Sequence, residues 1–433
     1  MTLLLIFGAL LLMVLLGVPI LLAIASVSLA GVSLIDGLVP ALMPQKTFAM
    51  LDSFSLLALP YFILAGAIMA RGGLSEGLIG FSQKIVGHIR GSLGHTAVLS
   101  CTAMANVSGS STAEAAAVGS IVIPAMRRQG YPPGRAASIV AAAATIGPII
   151  PPSMTMIIYG SMTGVSIGGL FLAGVVPGLL IALTLMAVIY GLSYLPAYPE
   201  LRAVLPRASL SQILRATVEV WPALLAPFVI MGGILSGIFT ATEAGVIACL
   251  YSLAVSVFWY RGIGFKQLVA ILVDAAVTTA MVAGVIGMAG ALGWMLSYLN
   301  FNDLMLEALR GLTSSPLAML LILLGLMLLL TMLLDGLAVV VVLVPTIVYV
   351  GQAFQLDPMQ LGILMIMVTQ VAGLTPPVAI LLFITTSIAQ TRFTDTVRAS
   401  GPFLGALLFV LALVIWIPEL ATWLPTRVFG PAN

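Results

Sequence analysis

Charge is what this sequence has least of: 16 basic and 14 acidic side chains are spread over 433 residues. So few ionic groups cannot cover the water-exposed surface of a chain this long, which excludes an ordinary soluble protein. The net charge of +2 leaves no basic face for nucleic acid, so no nucleic-acid partner is expected. Cysteine is nearly absent too. Cys101 and Cys249 both lie in apolar stretches, where a small buried thiol is the ordinary occupant and a disulfide framework has nothing to staple. The two histidines, His88 and His95, stand near one another without further ligands around them, which argues against a bound transition metal. No acidic metal-phosphate motif, zinc-ligand spacing or Ser/Lys dyad is visible, so enzymatic activity is not expected. The first apolar segment has neither a basic region before it nor an evident cleavage site, and Thr2 onward reads as mature structure.

What the chain has instead is apolar length. Hydrophobic residues make up 61% and the mean hydropathy is +1.22, values that require lipid as the solvent. The expected fold is an all-α polytopic membrane protein, a single transmembrane domain over 1–433. Leu3 to Ile35 is interrupted at Gly17-Val18-Pro19, which fits either two short helices or one kinked helix. Phe54 to Ala70 crosses next. The following loop, Arg71 to Arg90, carries Arg71, Lys84 and Arg90 against Glu76 and is cytoplasmic by the positive-inside rule.

The stretch around which the chain is organised is Asn106 to Glu114, a hydroxyl-rich run inside the segment 92–126. Arg127, Arg128 and Arg135 follow that segment, so both its flanks carry the cytoplasmic signature. It must enter and return, as a re-entrant hairpin with the polar run at its turn. Non-helical backbone at such depth is tolerated only where protein or a water-filled cavity satisfies it. The next segment, 136–160, is long enough to span but is broken at Gly147-Pro148 and Pro151-Pro152-Ser153. Residues 196–300 read as connecting scaffold helices. A second hairpin, 316–350, breaks at Asp335-Gly336, and a second broken helix, 361–390, breaks at Gly373-Leu374-Thr375-Pro376-Pro377.

The halves match. Glu114 precedes Pro124 by ten residues, as Asp335 precedes Pro345; Pro177 lies 25 beyond Pro152, as Pro402 lies 25 beyond Pro377. Residues 54–195 and 301–420 are therefore read as repeats. Because cationic loops flank the first hairpin and mostly not the second, the copies are expected to be inverted, the arrangement associated with alternating access about a midplane site.

The run Ser108-Gly109-Ser110-Ser111-Thr112, leading to Ile123-Pro124-Ala125-Met126, then Gly130-Tyr131, then Gly147 to Ser153, resembles the large membrane subunit of tripartite ATP-independent periplasmic (TRAP) transporters. The likeness covers essentially the whole chain, including Thr375-Pro376-Pro377. It implies an elevator-type, sodium-driven importer of a small organic acid in a bacterial inner membrane. C4-dicarboxylates, sialic acid and other sugar acids are the substrates the family carries. It also implies two partners, a small four-helix membrane subunit and a periplasmic substrate-binding protein, with sodium as coupling ion and no other cofactor. A self-sufficient ion-coupled antiporter or anion transporter of the same broad architecture is the alternative.

Sodium is a hard cation that takes oxygen ligands, and a helix break frees carbonyls while hydroxyls supply the rest. Ser108, Ser110, Ser111 and Thr112 beside Gly147, Pro151 and Ser153 form the candidate first sodium site. By repeat symmetry Asp335, Gly336, Gly373, Thr375 and Pro376 form the second. Candidate substrate-binding residues are Asn106, Ser110, Ser153 and Thr375, close to half-helix N-termini that suit a carboxylate. Ser and Thr in membrane helices also bond i−4 carbonyls. Glu114 and Asp335, near the hairpin tips, are either ligands or groups that cap a helix or hold a hairpin shut.

Overall fold

The computed structural model describes residues 2–35 and 38–430; of the domain read over 1–433, residues 1, 36–37 and 431–433 lie outside that description. Among the described residues the structure is all helical, without a strand. The N-terminal segment is two helices, α1 (Thr2–Leu15) and α2 (Ile20–Leu34). They part where Gly17 takes a φ of +80° and Pro19 supplies no amide N–H. With α3 (Leu42–Leu51) they form an apolar cluster of their own, in which Ile24, Val27 and Met43 pack against Leu292 and Met295.

Next come α4 (Ala58–Arg71) and α5 (Leu74–Val86). The loop expected from Arg71 to Arg90 is therefore mostly helix. Leu74, Leu78, Ser82 and Val86 fall four apart and are buried, so α5 shows one stripe to the protein while Glu76 and Lys84 lie in its first and last turns. Reading the stretch for its charges alone hid this amphipathic period.

The first hairpin is α6 (Ser92–Ser108) with α7 (Ser111–Arg128). The first broken helix has halves α8 (Pro133–Ala144) and α9 (Met154–Thr163), followed by α10 (Ile167–Leu192). Then come α11 (Leu210–Leu235), α12 (Ala241–Ala254), the 34-residue α13 (Phe265–Tyr298) and the short amphipathic α14 (Phe301–Leu312). The second hairpin is α15 (Pro316–Thr331) with α16 (Gly336–Ala353), and the second broken helix is α17 (Pro358–Gly373) with α18 (Ile380–Ala389). The chain closes with α19 (Phe393–Trp416) and α20 (Glu419–Phe429). Among the described residues seven helical stretches are long and apolar enough to cross a membrane. The hairpin arms, at 16 to 18 residues, are about 24–27 Å long, and of the four only α16 counts among those seven, at the short limit for a ~30 Å hydrocarbon core.

The packing is reciprocal. α7 lies on α18 as α16 lies on α9, and α8 lies on α19 as α17 lies on α10. Each broken helix thus closes on the other half of the chain. Lipid gives no hydrophobic drive for helices to associate, so close backbone approach and hydrogen bonds must do it. Alanine does this on α8, where Ala136, Ala137 and Ala141 to Ala144 are all buried. At the start of α17, Tyr159 of α9 donates to the Pro358 carbonyl at 2.6 Å, and Gly362 leaves room for its ring. α4, α5, α11, α12 and α13 pack alongside, and on α11 and α13 large side chains such as Leu214, Phe228, Val273 and Met281 point outward, as lipid-facing residues do.

Candidate functional site

The first hairpin turns at Gly109-Ser110. α6 continues through Ser108, Gly109 ends it with a φ of +56°, and the Ser110 hydroxyl caps α7 by accepting from the Ala113 N–H at 3.4 Å. Glycine is needed here for space as well as for φ, since a Cβ would lie 2.6 Å from the Pro152 carbonyl oxygen. The tip is pressed against the first helix break. Glu114 adds a second tie: it is fully buried, and its Oε1 accepts from the Ser108 hydroxyl at 2.7 Å across the turn. The same carboxyl group lies against Gly147, where a Cβ would come within 2.7 Å of Oε1, and Oε2 has no hydrogen-bond partner among the described residues.

At the second tip Asp335 caps α16, its Oδ1 accepting from the N–H groups of Leu337 at 3.0 Å and Ala338 at 3.2 Å. Gly336 packs on Thr369 of α17. Both tips therefore rest on broken helices, and they face the same space.

That space is a cavity of about 170 Å³. The first tip contributes Gly109, Ser110, Ser111 and Thr112; the first break Pro148, Met154 and Thr155; the second tip Asp335, Gly336 and Leu337; the second broken helix Thr369, Gln370, Gly373, Ile380 and Leu381. The first residues of α7, α9, α16 and α18 are all among them, so four helix N-termini converge. Ser110, Ser153 and Asp335 cap the first three, whereas α18 follows Ala379, which stands at φ +45° with no side chain to cap it. Asp335 is the one formal charge among the lining residues. An anion is suited by the N–H groups and the positive ends of the helix dipoles, and a hard cation by the hydroxyl and carboxylate oxygens.

Of the residues singled out in the sequence, Ser110, Ser111, Thr112, Asp335, Gly336 and Gly373 line this one cavity, so the two sets of tip residues share a space. The Ser110 and Thr112 hydroxyls are 3.1 Å apart. Ser108 and Gly147 lie just behind, engaged with Glu114. Ser153 is buried as the cap of α9. The Thr375 hydroxyl donates to the Val371 carbonyl at 2.7 Å, and neither Thr375 nor Pro376 is among the lining residues. Asn106 and Pro151 line a different, apolar cavity of about 650 Å³ between α6, α10 and α11, and the Asn106 amide donates to the Thr102 carbonyl at 3.2 Å. The Pro151–Pro152 and Pro376–Pro377 bonds are both cis.

Sequence reasoning missed Thr155, Thr369 and Gln370. The Thr369 hydroxyl donates to the Ile366 carbonyl at 2.7 Å and stands 3.0 Å from the Gln370 Nε2, while the Gln370 Oε1 is buried without a partner. The available signal was positional: Gln370 stands six residues before Pro376, as Thr145 stands six before Pro151.

The family model described as "Tripartite ATP-independent periplasmic transporter, DctM component" matches residues 7–420. The 2,3-diketo-L-gulonate TRAP transporter large permease protein YiaN of Escherichia coli is 35% identical over 424 residues, 97% of this chain and 98% of that one. The C4-dicarboxylate TRAP transporter large permease protein DctM of Pseudomonas aeruginosa is 38% identical over 380 residues, 88% of each. Among solved structures, the YdaH transporter of Alcanivorax borkumensis aligns over 90% of both chains with a TM-score of 0.61 and 15% identity, a likeness of fold.

Proposed function

Because the chain belongs to the DctM family, the large membrane component of TRAP transporters, we propose that it carries a small organic acid inward, driven by sodium. It is a multi-pass protein of a bacterial inner membrane, a permease subunit of a tripartite transporter. In this reading the acid reaches it from a periplasmic substrate-binding protein, and a small four-helix membrane subunit completes the complex.

The observation that carries the proposal is the convergence of four helix N-termini and both hairpin tips on one cavity lined by hydroxyls and a single carboxylate. The uncapped start of α18 suits the substrate carboxylate, since its N–H groups meet no side-chain cap. The Ser110, Ser111 and Thr112 hydroxyls on one side, and Asp335 on the other, suit sodium. A sodium ion next to the carboxylate would let each favour the binding of the other, which is coupling in its simplest form. The reciprocal packing of α7 with α18 and of α16 with α9 supports reading 54–195 and 301–420 as inverted repeats, and an elevator movement in which hairpins and broken helices travel together.

Proteoliposomes holding this chain and its small subunit, given labelled organic acids under imposed sodium gradients, test the proposal. Uptake is expected only with sodium and the cognate binding protein outside. Robust uptake of a free acid without any binding protein would reject it in favour of the self-sufficient antiporter.

A further inference from the structure

We infer that Gln370 is the specificity-determining residue of the cavity and that it accepts a hydrogen bond from a hydroxyl group of the substrate, so that the substrate class is a hydroxy acid. The inference rests on the reading of this cavity as the organic-acid site.

The hydrogen bonds around Gln370 fix which way its amide points. Thr369 has one hydroxyl proton, and it is spent on the Ile366 carbonyl at 2.7 Å. The Thr369 oxygen can therefore only accept from Gln370, which places the amide NH₂ on that side at 3.0 Å and makes Oε1 the free atom. That oxygen is an acceptor and nothing else, it is buried, and no donor among the described residues reaches it. A buried acceptor left unpaired is costly, and such groups persist where a ligand completes them. An amide oxygen gains nothing from a carboxylate, which has no proton to give at neutral pH. It takes an O–H or N–H group or a cation. In this reading Ser110, Ser111, Thr112 and Asp335 supply the oxygens for sodium, which leaves Gln370 to a donor, and on an organic acid that donor is a hydroxyl.

The two halves of the chain differ at this point. Thr145, at the corresponding place in the first broken helix, donates to its own Ala142 carbonyl and leaves nothing unpaired. The candidate ion ligands already differ between the halves, Asp335 at one tip against Ser110, Ser111 and Thr112 at the other, and Gln370 adds a second difference for which a ligand without internal symmetry supplies a reason.

The test uses this chain with its small subunit in nanodiscs, in sodium and without binding protein, so that selection upstream does not enter. Ligand-induced thermal stabilisation is measured with acid pairs that differ by hydroxyl groups: malate and succinate, lactate and propionate, gluconate and hexanoate, isethionate and ethanesulfonate. In at least one pair the hydroxy acid is expected to bind roughly 5- to 100-fold more tightly than its partner. Gln370→Met, similar in length and without an acceptor, is expected to bring that ratio close to one while sodium alone stabilises the variant as before. Equal binding of both members in every pair that binds overturns the inference and leaves the organic-acid reading standing, as does a ratio unchanged in Gln370→Met. If the variant does not fold, the wild-type ratio decides. Failure of every acid in the presence of sodium refutes the organic-acid reading itself, and the inference with it.

Discussion

An alanine at position 147 would place a methyl group 2.7 Å from the Glu114 Oε1, 2.8 Å from Cδ and 2.9 Å from Oε2. Ordinary contact is about 3.5–4 Å, so the carboxyl group would have to withdraw by roughly 1 Å. It has nowhere easy to go, being fully buried and held by the Ser108 hydroxyl at 2.7 Å. Overpacking of this kind costs about 1–3 kcal/mol, equivalent to a roughly 5- to 150-fold rise in the fraction of molecules whose hairpin has opened. The chain carries its own reporter. Cys101 lies on α6, is fully buried and is a free thiol, and Cys249→Ser would leave it as the only one. In that background Gly147→Ala should speed the reaction of Cys101 with a thiol reagent by the same 5- to 150-fold factor. Glu114→Ala removes the obstacle, so adding Gly147→Ala to it should change the rate by less than about twofold. Equal acceleration in both backgrounds refutes the reasoning, because the methyl group would then be striking something other than the carboxyl group.

Ser110→Ala or Ser111→Ala should raise the sodium concentration for half-maximal uptake about 10- to 150-fold, by analogy with losing a hydrogen bond to a charged group, with insertion and folding intact; an unchanged sodium dependence makes these hydroxyls structural. Asp335→Ala removes the cap on two N–H groups of α16 and should cost about 0.5–2 kcal/mol, seen as earlier thermal unfolding that Asp335→Asn largely restores. Cysteines placed at Gln129, after the first hairpin, and at exposed Gln352, near the end of the second, should label from opposite sides of the membrane. Labelling from one side only would end the inverted-repeat reading.

Much of this architecture was legible because lipid makes breaks conspicuous: a serine run or a proline pair inside an apolar stretch has few explanations. Glu114 and Asp335 stood out for the same reason, although their local partners, Ser108 and the first N–H groups of α16, became visible only in three dimensions. Asn106 stands apart from the other tip residues through helical phase. Taking Asn106 to Glu114 as one polar run at the turn ignores that α6 runs to Ser108, and at 3.6 residues per turn Asn106 faces about 200° away from Ser108, into the apolar cavity. Ser153 and Thr375 are polar groups that satisfy local backbone, which composition cannot distinguish from a ligand. Gln370 was missed for the opposite reason, as a lone amide in an apolar helix whose meaning depends on where its neighbour's proton goes.

The length of α13 ties the protein to a particular thickness of bilayer. At 34 residues it measures about 51 Å, far more than a ~30 Å hydrocarbon core accommodates upright. Its own side chains mark where that core must begin and end. Asp274 pairs with Arg71 at 2.6 Å, both about half exposed, and so belongs at a polar boundary. Twenty residues on, Trp294 lies under the Lys46 ammonium at 5.0 Å and beside Tyr298, the signature of the opposite headgroup layer. The interval is about 30 Å. A thinner membrane would expose the apolar middle of α13 to water, and a thicker one would draw the ion pair or the aromatic belt into hydrocarbon unless the helix or the lipid deformed, at fractions of a kcal/mol per ångström. The helix thereby acts as a gauge, and acyl-chain length is a variable to which this permease subunit is expected to respond.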